Sequence, residues 1–73
     1  MQILETKVYP LDGVKVTLFT VDPGTVGVAM VDTDADDAVI AVRRWSHTIP
    51  DARQRAYKYF DELVRKCNLA GDM

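Results

Sequence analysis

Apolar side chains recur along this chain with two different periods, and the change of period divides it. Up to Trp45 they alternate with polar residues or run in short blocks, and from Ala52 onward they return every three or four residues. On a helical wheel at about 100° per residue, Ala52, Ala56, Tyr59, Phe60, Leu63, Val64 and Cys67 share one sector, while Gln54, Lys58, Asp61, Glu62 and Arg65 lie opposite. The stretch from Ser46 to Gly71 is therefore read around one amphipathic helix. Pro50 stops a helix running through it from upstream, Asp51 is a suitable N-cap with Gln54 completing a capping box, and Thr48 with Asp51 is an alternative start. Gly71 is expected as the left-handed stop. Such a helix, about 17 residues and roughly 25 Å, is long enough to cross a small sheet.

The preceding chain reads as four strands. Gln2–Tyr9 alternates, Val14–Val21 is rich in β-branched residues, Thr25–Val31 follows, and Ala38–Trp45 carries Val39, Ile40 and Val42. Pro10-Leu11-Asp12-Gly13 and Asp22-Pro23-Gly24 have turn chemistry, the second suited to type II, and Asp32–Asp37 is too polar for a ladder. Short connections favour an antiparallel meander. The expected fold is α+β: a four-stranded antiparallel sheet, ββββα, with one C-terminal helix packed on one face, in a single domain spanning 1–73. The first hairpin has two candidate registers, a four-residue loop pairing Tyr9 with Val14 and a bulged one pairing Val8 with Val16.

The second and third strands are apolar on both sides. Val14, Val16 and Leu18 oppose Phe19 and Val21, and Val26, Val28 and Met30 oppose Ala29 and Val31. One helix covers one face of four strands, so the surplus suggests that a twin subunit or another protein partly covers the second. Thr17, Thr20 and Lys15 wet that outer face, and small proteins expose much apolar surface in any case.

Charge sharpens this picture. Residues 1–42 carry Glu5, Asp12, Asp22, Asp32, Asp34, Asp36 and Asp37 against Lys7 and Lys15, a net of −5, whereas 43–67 carry seven basic residues against Asp51, Asp61 and Glu62, a net of +4. An acidic sheet end and a basic helix face follow, within an overall charge of −2. A single cysteine excludes an internal disulfide and a Cys-based zinc cluster. No apolar run approaches the ~18 residues of a membrane span and no signal-peptide pattern opens the chain, so a soluble, cytoplasmic protein without a membrane partner is expected.

Candidate chemistry is sparse. Asp32, Asp34, Asp36 and Asp37 resemble the D-x-D-x-D start of a calcium loop, but the sixth and twelfth positions hold Asp37 and Arg43 where an EF-hand needs Gly and Glu. An acidic hairpin loop that blunts aggregation or meets a basic surface fits better, and no metal or cofactor is assigned. Arg43-Arg44-Trp45-Ser46-His47 interleaves cations with aromatics and, with Arg53, Arg55 and Lys58, could form a phosphate-binding edge. Against nucleic acid stand the acidic chain and the alternation that sends Arg43 and Arg44 to opposite faces. Trp45 suits a core or interface anchor better than a base-stacking platform. His47 and Cys67, each unique, flank the helix and lie too far apart for a nucleophile–base pair. No Gly-rich phosphate loop, nucleophile elbow or metal-ligand spacing is present, and no enzyme is expected.

The expected function is a small non-catalytic protein–protein interaction module. It would be an inhibitor or adaptor for a larger protein or nucleoprotein complex, of the kind that phages and other mobile elements direct against host defences, with a homodimer as one arrangement. Its candidate contact residues are Arg43, Arg44, Trp45, Arg53, Arg55 and Lys58 on the basic side and Asp32, Asp34, Asp36 and Asp37 on the acidic side. The alternative is a nucleic-acid-binding homodimer using the Arg43–Lys58 edge.

Overall fold

The computed structural model describes residues 1–10, 12–21 and 24–71, with side chains as far as Cys67. Four strands, β1 (Gln2–Tyr9), β2 (Val14–Val21), β3 (Thr25–Asp32) and β4 (Ala38–Ser46), precede one helix, α1 (Ala52–Gly71). The strands form an antiparallel meander in the order β1-β2-β3-β4, and α1 packs across β2, β3 and β4 on one face. This is the expected α+β architecture. No helix is long and apolar enough to cross a membrane.

Tyr9 pairs with Val14, so the first hairpin takes the four-residue loop. Asp12 N donates to Tyr9 O at 3.1 Å and Gly13 N to Pro10 O at 3.3 Å, and Gly13 adopts φ 66, where a Cβ would be strained. Leu11, and the Asp22-Pro23 step expected to form a type II turn, lie outside the described residues. The loop between β3 and β4 contains a short 3₁₀ turn, Thr33–Ala35.

Register decides which side chains face the helix, because directly paired residues point to the same side. Val16 and Leu18 of β2, Val26 and Val28 of β3, and Trp45 of β4 close against Ala52, Ala56, Phe60, Leu63 and Cys67 of α1. Val16, Leu18, Val28 and Ala56 are fully buried. The helical stripe is the one the wheel predicts, with Tyr59 and Val64 half-buried at its margin. Each edge strand carries one irregularity: Leu4 is the extra residue between Ile3 and Glu5 in β1, and Ile40 between Val39 and Ala41 in β4. The β1 bulge leaves Leu4 half-buried against the core from a strand whose remaining side chains, apart from Tyr9, are exposed.

Both helix ends depart from expectation. Asp51 has φ 65, whereas a side-chain N-cap needs extended backbone, so the Asp51–Gln54 capping box does not form. The start is held by backbone groups: Ala52 N reaches Ile49 O at 3.2 Å and Arg55 N reaches Asp51 O at 2.9 Å. At the other end α1 includes Gly71, which was expected just past it.

Three substitutions test this account. Phe60, 2% exposed, is the largest helical side chain in the core; Phe60→Ala should cost about 3–5 kcal/mol, which a core of this size cannot spare, so far-UV circular dichroism should show lost helix. Tyr57→Ala, on the wet side, should stay within about 0.5 kcal/mol in the same denaturant titration. Asp51→Gly should stabilise the fold by about 0.5–1 kcal/mol by relieving the left-handed backbone, whereas loss of a working side-chain cap would lower the unfolding midpoint.

Candidate functional site

The basic residues do not form one edge. Arg43 pairs with Val28 and so lies on the helix side, whereas Arg44 pairs with Gly27 and lies on the opposite face. Trp45 is 8% exposed, a core residue rather than a surface platform. Its indole meets Tyr59 edge-on, with centroids 5.8 Å apart and an interplanar angle of 64°. The Arg43 guanidinium sits 5.6 Å from the Trp45 ring centroid and 5.7 Å from that of Tyr59, within cation–π range of both. Arg55, one helical turn before Tyr59, and Lys58, its immediate neighbour, line the same shallow depression of about 220 Å³, together with Glu62. Three cations and one carboxylate thus surround an aromatic floor. Among the described residues the one ion pair is Lys15–Asp37 at 3.6 Å, so these cations have no carboxylate within salt-bridge distance.

Arg53 belongs elsewhere. It borders an open cleft of about 620 Å³ between the start of α1 and the β2–β3 turn, with His47, Val26 and Ala52. His47 anchors that end of the molecule. Its backbone N–H donates to Gly24 O at 2.8 Å, and its Nδ1 lies 2.8 Å from the same oxygen. The ring occupies the space a Cβ at Gly24 would need, so the turn between β2 and β3 and the segment after β4 are fitted to one another.

The acidic residues gather at the far end of the sheet, each in its own setting. Asp32 accepts from Asp34 N at 2.9 Å and caps the 3₁₀ turn, while the Asp34 carboxylate lies over Gly13. Asp36 and Asp37 take left-handed φ of 53 and 58, conformations that Asp tolerates better than most residues, and Asp37 pairs with Lys15. Among the described residues no three His, Cys, Asp or Glu side chains are arranged to hold a metal ion.

Cys67 is buried at the C-terminal part of α1, whereas His47 precedes the helix. Burial, with a smaller contribution from Asp12, pushes the Cys67 thiol up, and burial, with a smaller contribution from Cys67, pushes the Tyr9 hydroxyl up. Both groups are neutral at pH 7, and neither is activated.

Compared with known proteins, the chain matches no family model, no curated protein and no solved structure. Its class is therefore set by architecture alone, a small α+β sheet-and-helix domain.

The sequence reading missed Tyr59 as Arg43's second partner, although Arg43 and Trp45 at i, i+2 on a strand must share a face. It also missed His47 as a structural anchor, for which a lone histidine gives no local signal.

The raised Cys67 and Tyr9 values set a pH dependence. Stability from keeping these groups protonated is complete below their unfolded values, about 8.5 for the thiol, and declines as pH rises through the higher folded values. Denaturant midpoints should therefore be lower at alkaline pH than at pH 7, and Cys67 should react with a disulfide reagent at pH 8 far more slowly when folded than in urea. Equal rates would contradict the buried, protonated thiol.

Proposed function

We propose that this protein is a non-catalytic binding module, of inhibitor or adaptor type, that engages an acidic segment of a partner protein through Arg43, Arg55 and Lys58. The observation that carries this reading is the arrangement around Trp45 and Tyr59. Arg43 is held against two rings, so it is preorganised, with no carboxylate within salt-bridge distance among the described residues, and Arg55 and Lys58 border the same depression. A carboxylate entering there would accept from a planar guanidinium and gain two further cations.

A protein carboxylate fits better than a nucleic-acid backbone. Glu62 stands among the cations, the chain carries a net charge of −2, and Trp45 is too buried to stack on a base. Arg44 and Arg53, which would extend a phosphate track, point to other parts of the surface. His47 precedes α1 and Cys67 lies in its C-terminal part, so the two do not form a nucleophile–base pair, in keeping with a non-catalytic role.

The chain has one tryptophan, at the floor of the depression, so its fluorescence reports on the site directly. Titration with an oligo-glutamate peptide should shift Trp45 emission. Arg55→Glu should weaken that response roughly tenfold, about 1.4 kcal/mol, without changing the circular dichroism spectrum. A single-stranded oligonucleotide that binds more tightly, with a steep loss on adding salt, would replace this reading with nucleic-acid recognition. A flat titration with both probes would reject it.

A further inference from the structure

The face of the sheet away from α1 is the most unusual surface of the molecule. Its side chains form three rows that cross all four strands, Ile3–Phe19–Gly27–Arg44, Thr6–Thr17–Ala29–Val42 and Val8–Lys15–Val31–Val39, and a shorter one, Val21–Thr25–Ser46. Ile3, Val8, Val39 and Val42 are 57, 56, 62 and 45% exposed, and the bulged Ile40 beside them is 54% exposed. Phe19 is the exception at 7%, because its ring lies flat where a Cβ at Gly27 would sit. The exposed apolar residues are nearly all β-branched, hence stiff, and burying them orders little that is not already ordered.

We infer that this face is covered by a second copy of the chain, packed sheet to sheet about a two-fold axis that runs across the strands, so that β4 lies antiparallel over its own copy. Three observations lead there. Strand spacing and length give a face of roughly 26 by 19 Å, about 500 Å² in projection, or a tenth of the 5081 Å² surface, in the range of a standard interface once side-chain relief is counted. Both edge strands carry a bulge, at Leu4 and Ile40, which discourages edge-to-edge pairing and leaves face-to-face packing as the way to bury the apolar rows.

Charge fixes the orientation. Arg44 stands on this side near one end of β4, and the acidic loop of Asp36 and Asp37, the latter paired with Lys15 of this face, stands just before the other end, about 20 Å away. A two-fold axis across the strands lays Arg44 of each copy over the acidic loop of the other, making two equivalent contacts. An axis along the strands would instead keep both copies' Arg44 at one end of the interface and both acidic loops at the other, gathering like charges at each end. In the favoured arrangement Val42 lies near the axis and meets its own counterpart. The Arg43–Tyr59 depressions face outward on both copies, so the dimer offers two binding sites and is independent of what they bind.

Light scattering on a sizing column at roughly 50 µM should give twice the 8.2 kDa chain mass. Val42→Lys sets two ammonium groups together near the axis and should yield a monomer with unchanged helix content. Arg44→Glu should raise the dimer dissociation constant roughly tenfold or more, and adding Asp36→Lys should restore it. Arg44 and Asp36 are exposed, so this charge exchange carries the test even if Val42→Lys does not fold. A monomeric wild type, which would leave the face to a different protein, overturns the inference, as does a dimer indifferent to Val42→Lys. A dimer weakened by Arg44→Glu but not rescued by Asp36→Lys overturns the antiparallel arrangement.

Discussion

Everything in this structure depends on one contact, the closure of a narrow helical stripe on the middle of the sheet. Ala52, Ala56, Phe60, Leu63 and Cys67 meet Val16, Leu18, Val26, Val28 and Trp45, and among the described residues every buried apolar side chain except Phe19 belongs to this contact. Two alanines at the start of the stripe let the helix axis approach the strands closely, and Phe60 fills the centre. Below about 80 residues the hydrophobic term barely exceeds chain entropy, so this seam has no redundancy. Trp45 belongs to the same seam, and its burial is what turns Arg43 from a generic surface cation into one held against two aromatic rings.

The sheet's two faces solve different problems. The helix face is closed by a partner element encoded in the same chain. The open face is built for packing but receives nothing from the chain except Phe19, folded over Gly27. A glycine at that position leaves a gap in a strand, and an aromatic ring on the neighbouring strand fills it with contact that a side chain at residue 27 would otherwise supply. His47 does similar work at the turn, filling the space above Gly24 and binding its carbonyl. In both cases a small residue and a ring are one unit separated in sequence.

This explains which features the sequence reveals. The strand boundaries and the helical stripe follow from side-chain period alone, because period 2 and period 3.6 are local properties. The opposite orientation of Arg43 and Arg44 is legible for the same reason. What is not legible depends on pairing across the fold. Phe19 with Gly27, His47 with Gly24 and Arg43 with Tyr59 each join residues whose proximity is fixed only after register and helix placement are set. The failed Asp51 cap is instructive in another way. Asp51 has the right side chain for the role, but the turn that brings the chain from β4 up to α1 needs a left-handed residue there, and the backbone requirement prevails over the capping preference.

The charge distribution then acquires a structural meaning that its sum conceals. Because β1–β2 and β3–β4 turn at the same end, Asp12 and the 32–37 loop are brought together although two whole strands separate them, and Thr33 N donates to Gly13 O at 2.8 Å. The chain crosses from β4 to α1 at the opposite end, where Arg44, Arg53 and Arg55 lie on three different parts of the surface. A meander of even strand number followed by one helix therefore converts a first-half/second-half imbalance in sequence into a dipole along the strands. That dipole makes the two ends of the open face unlike, and two unlike ends are what allow a surface of otherwise interchangeable valines to specify a direction. In the proposed dimer, apolar area would supply the tendency of that face to be covered, and Arg44 and the acidic loop the register.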